Sequence, residues 1–306
     1  MKYKIVEISR SELLTKGYSE HARLHDIYGE NLRIYTILDK NNGTIGSFIL
    51  YIFNKLWEKH IITPPFLTDI QLRINCKAQN PSQVNSFYKD ILESIALFLR
   101  EQQATVVDIV LPPYVLNGLP FVWAKFDLGI RYTYLLDLSF SEMELLNRMS
   151  SQRRKNIKDG EKSEVVVDKI DDTEIIKKLA LETLSSKNAK YSEDLVNRIV
   201  SQSSSERLFT YLVHDNTDKL AMATCLSVED EVYYLFGWVN SNAENSNAGT
   251  LALWNCIKHS QSVAKRFNFA GSKIPSVERY FRGFGGELTP CLSISRKKGV
   301  SNLFKK

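Results

Sequence analysis

Between Val232 and Gly286 the chain carries an apolar strand, a glycine turn, a long helix, a second strand and a glycine-rich segment, in that order. Val232, Tyr233, Tyr234, Leu235, Phe236, Gly237, Trp238 and Val239 form a β-branched and aromatic run too continuous for a strand wetted on one face, so it is expected at the centre of a sheet. The polar stretch Asn240 to Asn247 follows, and after Ala248-Gly249-Thr250 the residues Leu251, Leu253, Trp254, Ile257 and Val263 recur at helical spacing. A helix beginning there offers unpaired backbone N–H groups and the positive end of its dipole, which favour a phosphate or another anion, and glycine at 249 lets a ligand approach the backbone. The spacing predicts a helix ending near Lys265-Arg266 and a strand over Phe267 to Ala270, closed by Gly271-Ser272. Any α/β protein contains such a unit. What marks this one is its continuation from Val277 to Leu288, which packs aromatics, arginines and three glycines, Gly283, Gly285 and Gly286, into one short segment.

A second stretch points the same way. Ser139-Phe140-Ser141-Glu142 reads as an N-cap with an acidic first turn, and Met143, Leu145, Leu146 and Met149 supply apolar positions for one helix. Arg148, Arg153, Arg154, Lys155, Lys158 and Lys162 make the second half of that helix basic, and Val165-Val166-Val167 is expected as a strand after Gly160. Arg153 and Arg154 are candidates for contacting phosphate, since a guanidinium can engage two phosphate oxygens; a solvated helix face is the alternative.

The first part of the chain reads as an α/β unit of its own. Leu32 to Leu38 and Thr44 to Ile52 flank the turn Asp39-Lys40-Asn41-Asn42-Gly43, a hairpin signal. Pro81-Ser82-Gln83 opens a helix running to Arg100, and Val106 to Leu111 is the next buried strand. The densest turn-forming cluster is Pro112 to Pro120. At 306 residues the soft expectation is two domains, here 1–125 and 126–306.

From about Phe126 to Arg296 these motifs resemble the Fem-type branch of the GNAT superfamily, which includes the aminoacyltransferases that build peptidoglycan cross-bridges. The resemblance rests on the helix entry Asn247-Ala248-Gly249-Thr250, the phrase Phe267-Asn268-Phe269-Ala270-Gly271-Ser272, the segment ending Arg282-Gly283-Phe284-Gly285-Gly286, and the basic helix leading into a strand. It implies an α/β fold with mixed sheets in two tandem GNAT-like domains, the first degenerate and shaping an acceptor groove, the second carrying the donor site. It also implies an N-acyltransferase or aminoacyltransferase that takes its group from acyl-CoA or aminoacyl-tRNA, with no metal. The acceptor would be an amine, on a small molecule, an amino sugar or a peptidoglycan precursor, in cell-wall or surface-glycan biosynthesis, and a tRNA acceptor stem is a possible partner. A noncatalytic GNAT-like ligand-binding protein is the alternative. Mapped onto this chain, Phe236, Trp238, Asn247, Gly249 and Thr250 would bind donor, Arg153, Arg154 and Arg279 would contact phosphate, and Tyr234, Glu278 and Arg282 are the catalytic candidates. One departure stands out: the bridge-building enzymes commonly have lysine where this chain has Phe281.

Charge adds little. The net charge of +5 is matched by five basic residues near the C-terminus, Arg296, Lys297, Lys298, Lys305 and Lys306, expected to be a solvated tail, so the body is no obvious duplex binder. Cys76, Cys225, Cys256 and Cys291 have no paired spacing, and His21 and His25 lack a third ligand, so neither a disulfide framework nor a metal site is expected. With no apolar run of spanning length and no signal-peptide core, a bacterial cytoplasmic protein of undetermined oligomeric state is expected.

Overall fold

A computed structural model describes residues 2–9, 11–12, 19–187, 192–203, 205–242 and 247–297. The middle of the loop ahead of Ala248, the side chain of His21, and Lys298, Lys305 and Lys306 lie outside what it describes. The fold is mixed α/β, and the chain divides into two compact units, one of Met1–Tyr132 with a second segment starting at Pro290, the other Thr133–Thr289. The sequence-based division at 125 did not anticipate the returning segment, which follows from a strand pairing given below.

In the first unit, β1 (Lys4–Glu7), β2 (Leu32–Leu38), β3 (Thr44–Lys55) and β4 (Glu58–Ile62) form an antiparallel run, and α1 (Ser19–Tyr28) sits between β1 and β2 in sequence. After the short β5 (Arg73–Ile74), α2 (Pro81–Glu101) crosses over to β6 (Val106–Val110), which lies parallel to β4. Asn80 caps α2 by accepting from Ser82 N, and Pro81 occupies the first turn, where its missing N–H costs nothing. Ile91, Ile95 and Leu99 of α2 are fully buried against Phe48, Leu50, Val107 and Ile109. The other edge of β6 is taken by the end of β13 (Glu287–Lys297), antiparallel, with Ile294 opposite Ile109. This pairing is why the chain from Pro290 returns to the first unit, and it corrects the reading of Arg296 and Lys297 as tail. Arg296 stacks its guanidinium 4.7 Å above the Phe126 ring, and its Nε and Nη2 are buried with no hydrogen-bond partner among the described residues.

Between β6 and β7 lies α3 (Leu119–Trp123). The second unit repeats the scheme of the first. β8 (Val166–Ile170), β9 (Leu208–His214), β10 (Lys219–Val228) and β11 (Glu231–Val239) are antiparallel, with α6 (Thr173–Ser186) and α7 (Glu193–Val200) between β8 and β9 in sequence, and α8 (Ala248–Ser260) crosses over to β12 (Arg266–Asn268), parallel to β11. Antiparallel to the far side of β12 runs the end of β7 (Asp127–Asp137). α8 buries Trp254, Leu253, Cys256 and Ile257 against Phe209, Ala221, Ala223 and Cys225. It ends at Ser260 rather than near Lys265-Arg266. The amides of Val263 and Ala264 fold back on the Ser260 carbonyl, and Lys265 and Arg266 donate to the Asp230 carbonyl, so Arg266 already opens a strand.

Two further corrections concern the basic stretch. The predicted single helix is two, α4 (Glu142–Arg148) and α5 (Ser151–Lys162), broken where Met149 and Ser150 turn extended. Ser141 and Glu144 form a capping box on α4, whereas Ser150 caps α5 through Arg153 N and donates its own amide to the Gly283 carbonyl. Gly160 does not end the helix but lies inside α5, with Leu251 of α8 in contact where a Cβ would stand.

Candidate functional site

β11 pairs with β12 only over Glu231–Tyr233, while on its other edge it stays paired with β10 as far as Val239. Past Tyr233 the two parallel strands part. β12 stops at Asn268, whose side chain ties Thr133, Glu231 and the amide of Ala270 together, and the chain then turns through positive φ at Ala270 and Gly271. From Tyr234 to Val239, no strand covers that edge of β11 among the described residues. The corresponding opening in the first unit is filled. Beyond Asp108 the edge of β6 is taken by Thr63, whose Oγ1 accepts from Val110 N, and by Ile70, whose amide donates to the Val110 carbonyl.

The opening in the second unit leads to a cavity of about 310 Å³ lined by residues of β11, α5, the entry to α8, α9 (Pro275–Arg282) and the end of α6 (Thr173–Ser186). A bulge at Leu235, unpaired while Phe236 faces Thr224 and Tyr234 faces Cys225, sets which side chains meet it. Tyr234 packs into the core beneath α8, and Gly237 shares its face. Trp238 sits opposite Met222 on the other face, where its Nε1 donates to Glu182 of α6 at 2.9 Å. Because Tyr234, Gly237, Met222 and Trp238 all line the cavity, it is a slot past the free edge of β11 that opens toward α8 on one face and α6 on the other.

On the α8 face the charged group is Arg153. Its Nη1 donates to Thr250 Oγ1 at 3.2 Å, its guanidinium stacks 4.3 Å over the Tyr280 ring, and the Asn156 amide, turned with its oxygen inward, lies 3.1 Å away. Arg153 pairs with no carboxylate among the described residues. Burial lowers its pKa, yet a guanidinium stays protonated, so the slot holds an uncompensated positive charge. Gly249 contributes its carbonyl to Tyr280 Oη at 2.9 Å, and a Cβ there would lie 2.9 Å from Val239 Cγ2. Asn247 makes no side-chain cap to α8, so no side chain of the N-cap residue covers the first amides of that helix. Burial raises the pKa of Tyr234 and of Tyr280, which keeps both phenols protonated at neutral pH.

The other sequence candidates divide. Thr250 is fully buried, and Phe236 is buried without lining the slot. Arg154 turns away and donates to the carbonyls of Asn147 and Met149, closing the end of α4. Ser276, Val277, Tyr280 and Phe281 face the slot, so the remaining side of α9 carries Glu278, Arg279 and Arg282. Glu278 accepts from Tyr134 Oη and pairs with Arg282 at 2.9 Å; the Tyr134 hydrogen bond and then Arg282 hold its carboxyl below the usual range. Arg279 is exposed. Sequence reasoning missed Tyr280, which fixes Arg153, and Lys187, the residue capping α6. A cavity wall drawn from α5, α6, α8 and α9 has no local pattern that would have revealed either. Among the described residues no group of His, Cys, Asp and Glu could hold a metal ion, and no helix is long and apolar enough to cross a membrane.

No protein-family model matches the chain, and no curated protein matches it in sequence. Solved structures do match in fold. FemX aligns with 94% of this chain and 96% of its own at 12% identity and a TM-score of 0.65. L-PGS from Bacillus licheniformis aligns with 97% and 95% of the two chains at 8% identity and a TM-score of 0.56. A tandem GNAT protein from the clavulanic acid biosynthesis pathway aligns with 98% and 100% at 9% identity and a TM-score of 0.53. The fold is therefore that of the tandem GNAT and Fem-type proteins.

Proposed function

We propose that the protein is an N-acyltransferase or aminoacyltransferase whose second unit binds an anionic donor, acyl-CoA or aminoacyl-tRNA, and passes its acyl group to an amine. The observation that carries this reading is the parting of β11 and β12 beside Arg153, Thr250 and the entry to α8. Donor phosphate would lie against Arg153 and the first amides of α8, where a guanidinium and the positive end of a helix coincide. The acyl carbonyl would meet backbone N–H groups on the open edge of β11, which stabilise the oxyanion as the amine attacks. A C–N bond forms and the C–S or C–O bond to the donor breaks; the attacking nitrogen gives up its proton to solvent, and Tyr234, a phenol lining the slot, would protonate the leaving group and be re-protonated from solvent. The Fem-type resemblance points to a cell-wall or surface-glycan acceptor and to work in the bacterial cytoplasm.

A second reading, a ligand-binding protein without turnover, draws on one feature. Among the described residues no carboxylate or imidazole lines the slot, so the usual general bases are missing from that lining. Titration calorimetry with CoA, acetyl-CoA and charged tRNA tests the first reading. Binding of at least one donor, weakened about tenfold or more by Arg153→Ala through loss of a charge-assisted contact, is expected. If none binds, the donor site is refuted. Binding without release of free thiol or deacylated tRNA across a panel of amines would favour the second reading.

A further inference from the structure

Among the described residues the slot has two charged ones in its lining, and they stand on opposite faces. Arg153 belongs to the α8 face with Thr250, while Lys187 belongs to the α6 face with Met222 and Trp238. Lys187 is held there by its helix. Thr183, one turn earlier on the same side of α6, donates to the Gly237 carbonyl at 3.0 Å, and Glu182 receives the Trp238 indole N–H, so two hydrogen bonds bolt the last turn of α6 to the open end of β11. The ammonium itself makes no ion pair or hydrogen bond among the described residues. The carboxylate nearest to it in sequence, Glu182, is engaged by Trp238, and among the described residues no Asp or Glu lines the cavity. Although the residue is exposed as a whole, desolvation by neighbouring protein lowers its pKa, as expected for an amine facing an uncompensated wall.

A cation anchored beside a cavity without a countercharge is built to receive one from a ligand. We propose that Lys187 determines specificity on the α6 face by binding a carboxylate, borne either by the acyl group or by the amine acceptor. This rests on the slot being the acyl-transfer site, with Arg153 taking the donor phosphate and the reacting carbonyl lying at the edge of β11 between the two cations.

Two measurements test it. In calorimetry, succinyl-CoA is expected to bind about tenfold or more tightly than butyryl-CoA, which has a methyl group in place of the carboxylate. Lys187→Met would erase that ratio without weakening butyryl-CoA, and Lys187→Arg would keep part of it. Independently of any donor, lysines are labelled by reductive 13C-methylation and the Lys187 signal is assigned by its absence in Lys187→Arg. That signal is expected to move with added succinate or glutamate and to stay still with butyramide or ethylamine. A shift with glutamate in the presence of CoA, without preference for succinyl-CoA, assigns the carboxylate to the acceptor. Equal binding of the two thioesters together with a Lys187 signal indifferent to every carboxylate overturns the proposal, as does an equal loss of both thioesters in Lys187→Met. Should neither a CoA thioester nor charged tRNA bind while carboxylates still move the signal, the donor reading fails and the carboxylate site stands.

Discussion

Gly237 sits in the middle of a strand, where glycine ordinarily costs about 0.5–1 kcal/mol relative to alanine. Its presence is explained by Tyr234, which the bulge at Leu235 brings onto the same face: a Cβ at 237 would stand 1.6 Å from the Tyr234 hydroxyl and 2.7 Å from its Cζ. Steric conflict of that size outweighs the gain in strand propensity. Gly237→Ala is expected to destabilise the protein by about 1–3 kcal/mol, the cost of overpacking. Removing the hydroxyl relieves the closer of the two clashes, so Gly237→Ala combined with Tyr234→Phe should unfold at higher urea than Gly237→Ala alone. A double variant no more stable than the single one would show that Tyr234 is not the obstacle. Gly285 has a different reason for being glycine, with φ of +82° and the Arg148 carbonyl 2.5 Å from any Cβ. The glycines of this stretch were visible in the sequence as a cluster, but the neighbours that require them come from elsewhere in the chain, so each one's purpose was not.

Secondary structure was legible wherever periodicity and local capping agreed. The hairpin about Asp39–Gly43, the start of α2 at Pro81, β11 and the start of α8 all lie where the residues placed them. The break between α4 and α5 was not legible, because Leu145, Leu146 and Met149 keep helical spacing right up to it and the bond that settles it, Ser150 N to the Gly283 carbonyl, joins distant parts of the chain. The paired serines at 150 and 151 were the one local hint. β8 was read correctly as a strand, and its stability has a titratable element. Among the described residues it pairs with β9 alone, its side chains are largely exposed, and His214 Nε2 lies 3.0 Å from Asp168 Oδ2, across the pair. That hydrogen bond, then the one to the Asp215 carbonyl, raises the pKa of His214 above its ordinary 6.5. A raised folded pKa means the contribution is fully present below the unfolded value and lost as pH rises through the folded one. The difference in melting temperature between the wild type and His214→Asn should therefore be largest in mildly acid solution and shrink as pH rises above about 6.5. A difference independent of pH, or one that grows toward alkaline pH, would show that the pair does not secure β8.

At the scale of the molecule, one six-strand order occurs twice, β1-β2-β3-β4-β6-β13 in the first unit and β8-β9-β10-β11-β12-β7 in the second. In each, the fourth and fifth strands are parallel and joined by a helix, and the sixth is antiparallel to the fifth. The repeat was expected from the sequence as a degenerate copy without a counterpart of Asn247-Ala248-Gly249-Thr250, one that shapes the acceptor groove rather than binding donor; the way its cleft is closed was not legible. Thr63 and Ile70 close the first cleft by taking the edge of β6, which leaves the second as the open one. Neither did the sequence reading reach the sixth strand of the first unit, since charge at Arg296 and Lys297 masked the alternation Leu292-Ser293-Ile294-Ser295, which has the period of a strand with one face buried. Ile294 is fully buried among Val107, Ile109 and the side chains of α2. Because its cross-strand partner is Ile109, shortening it leaves a cavity directly on the closing edge of β6. Ile294→Ala is accordingly expected to cost about 2–4 kcal/mol and to speed amide exchange at Val107 and Ile109. Exchange at those two amides unchanged from wild type would mean that the first unit holds its sheet without the returning strand, and that a chain stopped before Pro290 should fold as well as the whole.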